Sequence, residues 1–211
     1  RRFTRRRGGG AMRRLAGAEQ AGPSVAGSRA PEPTDAEIFM AMASGNLTAL
    51  GTLYARHQQR IRRFLARATA GDADADDILH DVFITAGRVA VTYDGRSDAR
   101  GFLIGIAANL VRARREKKAR WVRALAALEG AVTGAFRRTP EDSASETQQM
   151  HLLNAALARL SEEKRLVLLL IELEGLSGDE VSSTLGIPVA TVWTRLHYAR
   201  AELREHLKRR M

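Results

Sequence analysis

The side chains in this sequence that are spaced to do chemistry are spaced for binding. Residues 191–198 read Thr-Val-Trp-Thr-Arg-Leu-His-Tyr. If Val192, Leu196 and Ala199 turn inward on a helix, then Thr191, Trp193, Thr194, Arg195, His197 and Tyr198 turn outward. That mixed polar, cationic and aromatic face is of the kind that reaches into a DNA major groove. Residues 112–123 carry Arg112, Arg114, Arg115, Lys117, Lys118, Arg120 and Arg123 against Glu116 alone. Beside the turn-forming string Tyr93-Asp94-Gly95-Arg96-Ser97, this run suits the backbone of a nucleic-acid strand whose bases are stacked, and it equally suits a solvated helix end favoured by the macrodipole. Asp72, Asp74, Asp76, Asp77 and Asp81 form an acidic cluster, which reads as a solvated face or as a docking face for a basic partner. Its start imitates a calcium loop, but Asp77 stands where glycine is needed and Phe83 where glutamate is, so calcium is not expected. Five histidines lie far apart, and neither a cysteine nor a Gly-rich phosphate loop is present. No catalytic residue, metal or cofactor is expected, and the chain does not read as an enzyme.

Helices must position these groups. Asp35 can cap a short helix ending at Gly45. Asn46 can cap a longer one, whose apolar positions Leu50, Leu53, Tyr54, Ile61, Phe64, Leu65 and Ala68 recur at three- and four-residue steps until Gly71. A third helix, about 74–89, buries Ala75, Ile78, Leu79, Val82, Phe83 and Ala86 and leaves the aspartates outside. A fourth carries Phe102, Leu103, Ile106, Ala107, Leu110 and Val111 into the basic run. From Trp121 to Thr147 periodicity weakens, and Thr139-Pro140-Glu141-Asp142-Ser143 reads as linker. Beyond it, Met150, Leu153, Leu157 and Leu160 mark one helix, and Ser161 can cap another. Ser177 with Glu180 makes a capping box, Gly186 ends that helix, and Pro188 opens the last, whose stripe is Val192, Leu196, Ala199, Leu203 and Leu207. The segment 176–200 thus has the helix-turn-helix arrangement, although an ordinary helical hairpin has the same spacing.

Composition bounds the rest. The chain has 211 residues, 45% hydrophobic and 27% charged, with a net charge of +10. No apolar stretch approaches the roughly 18 residues that span a bilayer, so no membrane insertion is expected. Residues 1–30 contain eight arginines and one acid, Glu19, so most of the excess charge belongs to a tail without periodicity, expected to be disordered. Cytoplasm is the expected location, and nucleic acid the expected polyanion.

In order and content these pieces resemble the extracytoplasmic-function (ECF) class of bacterial sigma factors, minimal members of the sigma-70 family. The resemblance covers about 35–118 and 148–210 and rests on DADDILHDVF at 74–83, GFLIGIAANL at 101–110 and the stretch 160–207. Within that stretch, Glu-Gly-Leu-Ser at 174–177, Leu-Gly-Ile at 185–187 and Thr191-Val192 followed by Arg195-Leu196 are the specific signatures.

The resemblance implies an all-α fold of two small helical domains: a sigma region 2 four-helix domain at 35–118 and a sigma region 4 helix-turn-helix domain at 148–211. A flexible linker, 119–147, joins them, and a basic tail, 1–34, precedes them. It implies that Asp77, His80 and Asp81 dock on the clamp helices of the largest subunit of core RNA polymerase. Tyr93, Arg96, Ser97, Phe102 and Asn109 are implied to hold the minus-ten element as an unpaired strand, with Arg112, Arg114, Arg115 and Lys118 along its backbone. The second domain is implied to read the double-stranded minus-thirty-five element through Trp193, Thr194, His197 and Tyr198, with Thr191 and Arg195 on phosphates. An anti-sigma factor is an implied partner, and nucleoid association is implied for the holoenzyme.

Departures from the family pattern matter for specificity. His80 stands where Gln is usual and Phe102 where Trp is usual. Trp193 and Tyr198 occupy places often held by Arg or Lys, which implies stacking or thymine-methyl contact and an unusual minus-thirty-five preference. The competing expectation is a stand-alone helix-turn-helix regulator. A strand-containing receiver domain in the first half would favour it; the all-helical pattern there does not.

Overall fold

Helix starts in this chain follow local cap chemistry. Thr34 opens α1 (Asp35–Ala43) through a reciprocal capping box: its hydroxyl accepts the Glu37 N–H at 3.3 Å, and the Glu37 carboxylate accepts the Thr34 N–H at 2.7 Å. The expected cap, Asp35, is displaced by this hydroxyl one residue earlier. Its carboxylate instead reaches the next helix, meeting Arg56 and, at 3.0 Å, His57 Nε2. Asn46 caps α2 (Leu47–Ala68) by accepting the Thr48 N–H at 2.9 Å. Ala70 and Gly71 then turn the chain, both left-handed, with φ of 57° and 76°. The computed structural model describes residues 32–71, 75–95, 98–129 and 148–208, so Asp72 and Asp74 lie outside the described residues.

α3 (Ala75–Arg88) buries Ile78, Leu79, Val82, Phe83 and Ala86. A single 3-10 turn at Ala90–Thr92 leads to α4 (Ala99–Glu129). That helix continues past residue 118, where a linker is expected, because residues 112–129 are Arg, Lys, Ala, Leu and other helix-compatible types with no Gly or Pro before Gly130. The Thr139–Ser143 string expected as linker lies outside the described residues.

The remaining helices are α5 (Gln148–Leu157), α6 (Glu162–Leu168), α7 (Gly178–Leu185) and α8 (Val189–Lys208), with a π turn at Leu169–Leu173 extending α6. Ser161 holds the cap position of α6 without a side-chain cap hydrogen bond. Ser177 and Glu180 form the expected capping box, and Gly186, at φ 62°, closes α7 in the left-handed conformation. Among the described residues there is no strand, and no helix is long and apolar enough to cross a membrane.

The first four helices and the last four touch. α2 packs on α6 and α4 on α7, and the apolar core runs through both groups without a break. Polar ties reinforce this seam. Arg60 binds the buried carboxylate of Glu174 at 3.2 Å, Arg100 donates to the Glu174 carbonyl at 3.3 Å, and Arg112 donates to the Leu185 carbonyl. At Gly105 the approach is close enough that a Cβ would lie 3.4 Å from the Thr184 methyl.

Candidate nucleic-acid interface

α7, the Gly186 turn and α8 form a helix-turn-helix. The Ser182 hydroxyl donates to the Ile187 carbonyl at 2.6 Å, holding the turn against α7. Val192, Leu196 and Ala199 are buried, which orients α8. The opposite face exposes Trp193, Thr194, His197 and Tyr198, with Thr191 and Arg195 half-buried at its margins. The sequence places these six residues on one side, and the structure brings them together there. Several already have partners. The Thr194 hydroxyl donates to the Ala190 carbonyl at 2.9 Å, His197 and Tyr198 meet edge to face, and the Lys164 ammonium lies 5.8 Å from the Tyr198 ring centroid. Arg195 pairs with Glu163 at 3.1 Å.

Glu163 is a residue that sequence reasoning missed. Its other carboxylate oxygen meets Arg115 of α4 at 3.6 Å, so one carboxylate of α6 bridges a basic residue on each prospective DNA surface. Around it, Arg112, Arg115, Arg120 and Arg195 line a cleft of about 530 Å³ with Leu166, Leu185 and Ile187 among its apolar walls. Arg112 and Arg120 also meet Glu116, one turn away along α4.

The acidic face lies directly beside the basic helix. Asp77 and Asp81 are exposed on α3, and Arg114 of α4 reaches both, at 3.3 and 4.0 Å. His80, on the same face, bonds through Nδ1 to the Asp76 carbonyl at 2.9 Å and stacks near Tyr54. These pairs sit largely in solvent, where each contributes little to stability. Their consequence is local: the candidate docking carboxylates and a candidate phosphate-binding arginine are already paired with one another.

Tyr93 and Phe102 do not stand apart as free aromatic platforms. With Phe39 of α1 they make a three-ring cluster, Phe39 stacked on Tyr93 at 4.1 Å and edge-on to Phe102 at 5.5 Å. Tyr93 and Phe102 themselves meet at 5.3 Å. Desolvation, followed by the charges of Asp35, Asp98 and Asp94, pushes the Tyr93 hydroxyl up from its ordinary pKa, so it stays a neutral donor. Phe39, on a helix far upstream in sequence, carries no sequence signal for this packing. Phe102 and the exposed Asn109 open into a cleft of about 580 Å³ whose far wall is Gly175, Leu176 and the first turns of α7. Lys118 lies on the basic extension of α4. Arg96 and Ser97 lie outside the described residues. Among the described residues no group of His, Asp or Glu is arranged to hold a metal ion.

Comparison with known proteins follows the same division. The sigma-70 region 2 family profile matches residues 53–121, and the sigma-70 region 4 profile matches residues 150–203. The chain is 30% identical over 185 residues to the ECF RNA polymerase sigma factor SigE of Mycolicibacterium smegmatis, covering 83% of this chain and 68% of that protein. It is also 30% identical to the ECF sigma factor SigM of Mycobacterium tuberculosis, covering 86% of this chain and 88% of the relative. Among solved structures, CnrH in complex with the cytosolic domain of CnrY aligns with a TM-score of 0.53 at 27% identity, over 82% of this chain and 97% of CnrH. The sigma factor RpoE of Bartonella quintana, bound to the anti-sigma factor NepR, shares the fold with a TM-score of 0.59 at 22% identity, over 75% of this chain and 96% of RpoE.

Proposed function

The chain belongs to the ECF class of sigma-70 RNA polymerase sigma factors, and from that premise we propose how its surfaces divide the work of promoter-specific initiation. The acidic face of α3, through Asp77, His80 and Asp81, docks on the clamp helices of core polymerase. The Tyr93–Phe102 corner and Asn109 hold the unpaired minus-ten strand, with Arg112, Arg114, Arg115 and Lys118 along its phosphates. Arg96 and Ser97 belong to that corner by sequence. The exposed face of α8 reads the minus-thirty-five duplex. On this reading residues 35–118 and 148–211 work as separate modules, in the cytoplasm, joined to the nucleoid through holoenzyme.

The observation that carries the reading is the helix-turn-helix with an exposed Trp193-Thr194-His197-Tyr198 face, in one chain with an acidic helix packed against a basic one. Holding unstacked bases draws on binding energy to open the duplex, so a role as initiation factor requires no catalytic group in the chain itself.

The seam between the helix groups adds a condition. By the positions that name them, minus ten and minus thirty-five, the two promoter elements stand about 25 base pairs apart, roughly 85 Å at about 3.4 Å per pair. The wall of α7 residues facing Phe102 and Asn109 therefore cannot remain there while α8 sits on the upstream element. Opening of the seam accompanies promoter binding. The basic, apolar-floored cleft at Arg112, Arg115 and Arg195 suits an acidic amphipathic helix, which is the chemistry expected of an anti-sigma factor that stabilises the closed form.

Run-off transcription with purified core polymerase tests the reading. Initiation at a defined start that depends on both elements is expected. DNA binding without initiation would instead support the stand-alone regulator.

A further inference from the structure

Gly178 is the first residue of α7 and is buried, yet its backbone is ordinary helix, so no left-handed φ demands glycine there. What demands it is Trp193. A Cβ built on Gly178 would lie 2.7 Å from Cζ2, 3.0 Å from Cε2 and 3.3 Å from Nε1 of the indole. The first of these distances is shorter than carbon atoms tolerate, and the atoms concerned belong to a rigid ring. Trp193 is nevertheless 51% exposed. One side of the indole is seated on the bare backbone of α7, and the remainder faces outward beside Thr194 and His197.

We propose that Gly178 is a specificity-determining positioning residue: it provides the seat that fixes the plane of Trp193, and the seated ring selects a thymine methyl in the upstream promoter element. The inference rests on the reading of α8 given above. An indole has one N–H donor and no acceptor, so it cannot make the paired hydrogen bonds to guanine that an arginine makes. With its Nε1–Cε2–Cζ2 side against α7, it offers the groove a carbon surface, whose complement in the major groove is the C5-methyl of thymine. A ring held by the backbone has lost its rotamer freedom before binding, so engaging the methyl carries a small ordering cost. Any side chain at position 178 lifts the ring off this seat and disperses its orientation.

The test uses holoenzyme and duplex promoters in which each thymine of the upstream element is replaced in turn by uracil, removing only the methyl. At one position wild-type holoenzyme should lose about four-fold in affinity, the worth of one buried methyl. Trp193→Ala should bind thymine and uracil equally at that position. Gly178→Ala should abolish most of the same discrimination while keeping its capture of core polymerase and its helical circular dichroism. In the Trp193→Ala background, Gly178→Ala should have no further effect on it. The proposal is overturned if Gly178→Ala retains full methyl discrimination, or if its effect persists at equal size without the indole. It is also overturned if no uracil substitution matters to a holoenzyme that still footprints the upstream element. Failure of the underlying reading looks different: no footprint over that element, and no change in promoter binding on altering Trp193, Thr194 or His197. Because the uracil series changes only the DNA, it remains decisive even where a protein variant folds poorly.

Discussion

The guanidinium of Arg165, only 2% exposed, donates from Nη1 to the backbone carbonyl of Ala68 at 2.9 Å, tying α6 to the last residue of α2. The same side chain donates to the carbonyls of Leu157 at 2.9 Å and Leu160 at 2.8 Å. A delocalised cation with a planar fork of donors is suited to gathering carbonyls that helix ends leave without intrahelical partners.

Replacing Arg165 with Met keeps much of its volume and removes its donors from the Ala68 and Leu160 carbonyls, while the Leu157 carbonyl keeps the Leu160 N–H. The expected destabilisation is about 3 kcal/mol or more in urea denaturation. Lys, with a point charge and no fork, should recover only part of it. A Met variant as stable as wild type would show that Arg165 does not hold the seam.

Glu174 is buried beside Arg60. Charge reversal, Glu174→Arg, sets a further cation against Arg60 and Arg100 and should open the seam. Small-angle scattering should report a larger radius of gyration, and affinity for a single-stranded minus-ten oligonucleotide should rise. The thermal midpoint should fall by about 2–4 °C for each kcal/mol of destabilisation. An unchanged radius with an unchanged affinity would argue that the α7 wall does not limit access to Phe102 and Asn109.

Asp77→Arg with Asp81→Arg is expected to abolish capture of core polymerase with the helical circular dichroism retained, since both carboxylates are exposed. Complementary charge governs encounter and register at such surfaces. A pull-down that retains the core enzyme in full would move the docking face elsewhere.

Changing Arg114, Arg115 and Lys118 to Ala should flatten the salt dependence of promoter binding by holoenzyme, by about one unit of slope for each phosphate no longer neutralised. Arg115 must leave Glu163 to reach a phosphate. Glu163→Gln should therefore strengthen DNA binding modestly at low salt, and a slope unaffected by the triple change would count against the placement of the basic helix.

The capping box of α7 carries a pH dependence of known sign. Hydrogen bonds from the backbone N–H and then the hydroxyl of Ser177 hold the Glu180 carboxyl below its ordinary value. A group depressed in the folded state stabilises fully above its unfolded pKa, about 4.3 for Glu, and that stabilisation disappears as pH falls through the depressed value. The stability advantage of wild type over Glu180→Ala should be constant from neutral pH to about 5 and shrink below about 4.3 in denaturation titrations. A difference independent of pH down to about 3 would show that the carboxylate form is not what caps the helix.

Local chemistry made much of the fold legible in one dimension. The Asn46 cap, the Ser177–Glu180 box, the Gly186 turn and the inward stripe of α8 depend on neighbours within a few residues, so spacing alone carries them. The outward set on α8 follows from that stripe. Even local signals can compete: Thr34 takes the cap expected of Asp35 because its hydroxyl and Glu37 satisfy each other in adjacent positions.

Meetings between distant segments had no such signature, and tertiary structure alone decided them. Arg165 reads as one more surface cation until α2 ends against it, and Glu174 as one more acid until Arg60 closes over it, 114 residues away in sequence. Phe39 gives no hint that it will stack on Tyr93, and nothing near Gly178 announces that an indole from the next helix will need its missing side chain. Periodicity specifies which face of a helix turns inward because that depends on solvent. Which residue it meets there depends on how the helices cross, and that is settled only when the apolar faces of the whole chain are buried together.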